Sequence, residues 1–300
     1  MTERIEYTWN LDGFVDEQRY YRELSTIDIN NPPTPKSVLS NSARTYIDTS
    51  VVVGQTYYVR FSSVKNGVEK FSNEITVTAA KDVDWAHVSA LLHFNGSLYD
   101  EKNEVMWSCA SPLFSTGKWG VCASFNANNL NTIKSPNFES INFGSSDFRI
   151  QMQLKLNRKS GSNEWMGVFG KQDEDSTRSY ALVVNNNSSQ LVFVFKSAST
   201  GTEHVLNSSV ELPLHDFIYV EISRTDNDVY MIFEDEVVGH MTLPAGTSAY
   251  QNSYGLSLGR IYYNSTSFPL DGCIDEFRVV KGEGVDINNL SIPTSEFKNS

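Results

Sequence analysis

Three cysteines in 300 residues, Cys109, Cys122 and Cys273, are too few and too odd in number for a disulfide framework. A Cys109–Cys122 bridge is one reading of them; buried free thiols are the other. No apolar run approaches the roughly 20 residues needed to span a bilayer as a helix. The opening MTERIEYTWNLDGF lacks the basic start and apolar core of a secretory signal, so folding in a cytoplasm is expected. Positive charge is also scarce: 24 Lys and Arg stand against 36 Asp and Glu, a formal net charge of -12. With no basic cluster, neither a nucleic-acid backbone nor an anionic membrane is an expected partner. Long blocks of helix formers are missing too. What is present is 17 Phe, 14 Tyr and many short runs of Val, Thr and Ser broken by polar clusters, the texture of an all-β protein.

The length predicts two domains. In residues 1–82, Ile5, Tyr7, Trp9 and Leu11 alternate with polar residues, and RYYRELSTIDI, RTYIDTSVV, QTYYVRFSSVK and EKFSNEITVTA read as further strands. NNPPTPKS interrupts them as a proline loop. AAKDVDWAHV reads as a linker. From there to residue 284, FRIQMQLKL, SYALVVN, QLVFVFK, FIYVEISR, VYMIFEDEVVGHMTL and CIDEFRVV read as strands of a jelly roll, and residues 285–300 as a C-terminal strap.

Trp9, RTYIDTSVVVGQTYYVRFSSVKNG and SNEITVTA resemble a fibronectin type III domain of the kind common in phage and bacterial surface proteins. The resemblance puts Tyr57 at the tyrosine corner, with its hydroxyl bonded back to the chain. It also implies that the first strand is missing, because almost nothing precedes the Trp-bearing strand. The open edge is then covered by strand addition from a neighbouring chain or domain, or closed locally by TERIEYT or the proline loop. LLHFNGSLYDEKN, FSTGKWGVCASFN, FRIQMQLKLN, HDFIYVEISRTDNDVYMIFEDEVVGHM and LDGCIDEFRVVKG, in that order, resemble a laminin G-type, concanavalin A-like domain.

Hydrolases share that fold, and paired acids were sought. On a regular strand Asp275 and Glu276 point to opposite faces, with Asp275 beside Phe277 and Val279, while Asp271 and Asp275 lie roughly 13 Å apart. Glu234 and Glu236 fall in a hairpin, and the E-x-D-x-E strand of such hydrolases is absent. The five histidines show no ligand spacing. The chain is therefore expected not to be an enzyme. The resemblance implies one structural calcium between the first and last strands, here at Asn95 and Asp275, with a hydrogen-bonded structural acid as the alternative. The acidic loop KQDEDS, with Asp173, Glu174 and Asp175, reads as a solvated turn.

AGTSAYQNSYGLSLGRIYYNSTSF is rich in Tyr, Ser, Asn and Gly, a paratope-like mixture. Tyr250, Tyr254, Tyr262 and Tyr263, with Trp165 apart from them, are candidate ligand-binding residues; packing half-buried on strands is the other reading. Together the two modules and the missing signal suggest a non-enzymatic phage virion protein of the tail, baseplate or fibre apparatus. Its expected partners are other virion proteins, further copies of itself and a host surface polysaccharide. A head-decoration or neck protein, and a bacterial glycan-active enzyme or secreted lectin, are the competing readings.

Overall fold

The computed structural model describes residues 5–52, 54–79, 84–126, 131–172, 177–197, 201–263 and 266–299. Contacts divide the chain into two units, Met1–Trp85 with Lys298–Ser300, and Ala86–Phe297. Both are built from antiparallel strands, and the protein is all-β with a jelly roll as its larger part. Asp173, Glu174 and Asp175 lie outside the described residues.

The first unit contains β1 (Ile5–Thr8), β2 (Glu17–Glu23), β3 (Ser37–Leu39), β4 (Thr45–Asp48), β5 (Thr56–Lys65), β6 (Val68–Phe71) and β7 (Ile75–Thr78). β1 pairs with β4, and β3-β2-β5-β6 form the facing sheet with β7 also on β5. EKFSNEITVTA is thus two strands and not one. The ladder breaks where Ser72 turns back to donate its N–H to Phe61 O at 2.8 Å. Alternation on β5 sends Tyr57 and Val59 into the core with Tyr7, Tyr20 and Val51. The Tyr57 hydroxyl accepts from Val52 N at 2.8 Å, a link back to the chain five residues upstream.

Among the described residues β1 pairs only with β4. Of TERIEYT, Ile5–Thr8 forms the edge strand itself, and the proline loop leads into β3 of the other sheet, so among the described residues neither covers the edge. A groove of about 530 Å³ runs along this side, lined by Tyr7, Trp9, Phe61 and Ile75.

The second unit contains β8 (Val88–Leu92), β9 (Tyr99–Asp100), β10 (Val105–Met106), β11 (Leu113–Thr116), β12 (Val121–Phe125), β13 (Ile133–Lys134), β14 (Phe148–Leu156), β15 (Met166–Gly170) and β16 (Tyr180–Val184). It continues with β17 (Leu191–Lys196), β18 (Glu203–Asn207), β19 (Ile218–Thr225), β20 (Asp228–Phe233), β21 (Glu236–Thr242), β22 (Ser257–Leu258), β23 (Arg260–Tyr263), β24 (Thr266–Pro269) and β25 (Gly272–Lys281). One sheet runs β11-β12-β25-β14-β19-β20-β21 with β8 also on β25; the other runs β13-β22-β15-β16-β17-β18. Phe148, Ile150, Met152, Leu154 and Leu156 of β14 share one core with Tyr180, Leu182, Leu191, Phe193 and Phe195 of the opposite sheet. The two faces of the sandwich meet through these alternate residues.

Candidate ligand-binding groove

Strands β16 and β17 are buried on both faces. Their inward residues fill the sandwich, but Ala181, Val183, Val192 and Val194 point the other way, to an outer face a single sheet would leave wet. The three valines and Ile261 form a second apolar cluster, against which Trp165 and Phe268 pack half-buried.

The hairpin β23–β24 makes this possible by crossing the outside of β15. A side chain at position 167 would forbid the crossing: a Cβ on Gly167 would lie 2.4 Å from Ile261 N and 2.9 Å from Arg260 C. The bare Gly167 backbone lets the hairpin lie down, and the Ile261–Phe268 cross-strand pair then becomes a wall of the groove. The groove, half open to solvent, has a volume of about 450 Å³.

The groove is apolar along its floor and polar at its ends. Arg178, 5% exposed, donates to Glu203 at 3.0 Å and through Nε to Gln172 Oε1 at 2.9 Å. Gln172 donates in turn to Tyr262 O at 2.5 Å, which ties the hairpin to the sheet. Asn163 stands beside Trp165. The Trp165 loop is braced from behind by Arg158, which donates to Glu164 at 2.7 and 2.9 Å and to Asp271 at 2.9 Å. The Arg158 guanidinium holds the Glu164 carboxyl below the usual carboxylate range. Asp271 therefore has a structural partner and positions a loop.

Of the candidate residues, Trp165 lines the groove, and Tyr250, Tyr254 and Tyr262 do not. Tyr250 is half-buried and bonds through its N–H to Lys196 O. Tyr254 is exposed, and its carbonyl accepts from Lys171 Nζ. Tyr262 carries the Arg260 guanidinium 5.0 Å above its ring. The Tyr263 side chain lies outside the described residues; its backbone pairs with Thr266. Phe268, Ile261, Arg178 and Glu203 were not singled out from the sequence. The available signal was ALVV and LVFVF, apolar on both faces and hence in need of two covers.

The expected face of Asp275 is corrected by a β-bulge. Glu276 has φ +52°, and the register of β25 on β14 shifts between Asp275 and Arg278. The extra residue reverses the phase, so Ile274, Phe277 and Val279 all face the core while Asp275 does not. Asp275 Oδ2 accepts from Lys118 N at 2.8 Å and Trp119 N at 3.2 Å, and Oδ1 from Glu276 N at 3.0 Å. Burial raises its carboxyl to about 7. Asn95 Oδ1 accepts from Val121 N at 3.1 Å. Two N–H groups of the turn between β11 and β12 and one at the start of β12 thus point at the oxygens expected to bind calcium. Calcium needs six to eight oxygen ligands, and this donor set does not fit it.

The thiols are also rearranged. Ser115 Oγ lies 3.2 Å from Cys122 Sγ and 3.4 Å from Cys273 Sγ, so the neighbour of Cys122 is Cys273 and not Cys109. All three cysteines are free, two buried and Cys109 half-buried.

No family model and no curated protein matches this sequence. Solved structures do. The chain is similar to the binding domain of Paraclostridial mosquitocidal protein 1, with TM-score 0.55 and 12% identity over 68% of this chain and 51% of that one. It is also similar to the binding domain of botulinum neurotoxin DC in complex with rat synaptotagmin II, with TM-score 0.53 and 10% identity over 68% and 50%. The same neurotoxin domain in complex with SialylT gives TM-score 0.51 at 9% identity. The chain spans about half the length of these domains, and at such identities the likeness is one of fold.

Proposed function

We propose that the protein is a non-enzymatic glycan-binding component of a phage virion, holding a host surface saccharide in the groove between Trp165 and Phe268. The observation that carries this reading is an aromatic-walled, half-open groove on the outer face with polar groups at its ends. Sugar rings present one apolar face of C–H groups, which stacks on an indole or phenyl ring, and hydroxyls at their rims. Arg178, Glu203 and Asn163 stand where such hydroxyls would find donors and acceptors. Among the described lining residues there is one carboxylate, Glu203, already paired with Arg178, which favours holding a saccharide over cleaving it. Binding domains of two toxins share the fold, one of them solved with SialylT, which agrees with this use of it.

The virion part of the reading rests on the resemblance to phage modules and on the open β1 edge. A strand with one edge unpaired among the described residues, beside an apolar groove of about 530 Å³, suits addition of a strand from a neighbouring virion protein or a second copy. A head-decoration protein would use the same edge and leave the outer groove without a ligand. Two measurements separate these readings: a glycan array probed with the full chain, and antibody labelling of intact particles. Binding to a defined set of saccharides with label at the tail supports the proposal. No glycan bound, with label on the capsid, overturns it in favour of decoration.

A further inference from the structure

Away from the groove, the bulge that turns Asp275 outward also carries Glu276 to a second position on the same strand. There its carboxylate is fully buried, with His93 Nδ1 2.7 Å from Oε1 and 2.9 Å from Oε2. His93 is reached by the chain leaving β8, and it is itself 6% exposed. A third group arrives from the C-terminal strap. Glu296 is half-buried, and one ligand atom from each of His93, Glu276 and Glu296 can be chosen so that all three lie within 4.8 Å of one another.

We propose that His93, Glu276 and Glu296 form a binding site for a divalent transition-metal ion, zinc being the representative case, which clasps the C-terminal strap to β25. Metal–ligand bonds of about 2.0 to 2.2 Å put neighbouring ligand atoms roughly 3 to 3.5 Å apart, so shifts of about 1 Å bring these three into range. One imidazole with two carboxylates, and a coordination position left for water, is a donor set for zinc or its first-row neighbours; calcium binds oxygen alone.

The supporting bonds favour the same assignment. Phe297 N donates to Glu276 Oε2 at 2.8 Å and Asn95 Nδ2 donates to Glu296 Oε1 at 2.9 Å. Each carboxylate is thereby oriented by an outer group and keeps lone pairs for an ion. Phe297 also lies under the Arg278 guanidinium, 4.9 Å from ring centroid to Cζ, which fixes the strap next to Glu296. Two carboxylates drawn this close by packing repel each other, and a dication between them removes the repulsion.

Two other histidine–carboxylate contacts, His87–Glu283 at 3.3 Å and His240–Asp228 at 2.9 Å, are exposed pairs with two ligands each. They provide the control. Titration calorimetry of the chelator-treated full chain with zinc should give one site per chain, and Co²⁺ in its place should give visible absorption bands of a low-coordinate ion. Glu296→Gln keeps an acceptor for Asn95 and disturbs no buried pair, so it should fold normally and bind zinc at least tenfold more weakly. His240→Ala should bind as the unaltered chain does. The proposal is overturned if the unaltered chain takes up no zinc, or if E296Q binds it undiminished, whether or not H240A does.

Discussion

Replacing Gly167 with alanine tests how the groove is built. The added Cβ would meet Ile261 N at 2.4 Å, Ile261 Cγ1 at 2.8 Å and Arg260 C at 2.9 Å. Two of the three are backbone atoms of β23, so no rotamer change relieves the contact. Restoring ordinary separations moves the hairpin outward by about 1 Å, a gap that forfeits a quarter to a half of each dispersion contact across it. Overpacking of this kind costs roughly 1 to 3 kcal/mol. For a unit of this size that lowers Tm by about 2 to 4 °C per kcal/mol, a drop on the order of 4 to 8 °C for the middle of the range. Gly170 is the internal control. Its nearest neighbours are side-chain atoms, Ile261 Cγ2 at 3.1 Å and Ala181 Cβ at 3.5 Å, so G170A should cost less than half as much. Thermal unfolding gives the stabilities, and Trp165 emission reports on the groove wall. A G167A protein with unchanged Tm and emission would refute the crossing of β15 by the hairpin.

Other outcomes follow from single contacts. Burial lowers the Lys171 ammonium to about 8, and it is held by Asn252 Oδ1 at 2.9 Å and Tyr254 O. Above pH 8 the unfolded chain keeps a proton that the native chain releases, so stability rises with pH and is lost as pH falls back through 8. Urea unfolding at pH 8 and 9.5 should show a gain of roughly 1.5 kcal/mol that K171M abolishes. Arg158→Ala removes the brace behind Trp165; its partners are partly exposed, so about 1 kcal/mol or less is expected in stability, with a shift in Trp165 emission. Thiol labelling of the native chain should modify half-buried Cys109 well before Cys122 and Cys273, and comparable rates at all three would contradict their burial.

Strand identity was legible because alternation is local: QTYYVRFSSVK and FRIQMQLKL show their buried faces by period two alone. The all-β class and the jelly roll followed from the same signal. The bulge at Glu276 was not legible, since CIDEFRVV contains no glycine to mark a positive φ and its phase change depends on pairing with β14. EKFSNEITVTA looked continuous because no Gly or Pro marks the break between β6 and β7, both of which pair with β5. The groove was hidden for a different reason. Trp165 was visible as an outlying aromatic, but its partners Ile261 and Phe268 reach it only because Gly167, over ninety residues earlier in the chain, leaves room. The tyrosine-rich segment had the composition of a binding surface, yet Tyr250 and Tyr254 contribute backbone bonds to strand and lysine neighbours.

The central claim is that a saccharide lies against Trp165 in the outer groove. Calorimetric titration of the best array ligand into W165A and Y254A tests it most directly, because both side chains reach solvent and only one lines the groove. Truncating a stacking aromatic costs roughly 2 kcal/mol or more, about thirtyfold in Kd. The account predicts that loss for W165A and unchanged affinity for Y254A. Full affinity in W165A with loss in Y254A would contradict it and return the site to the tyrosine-rich segment.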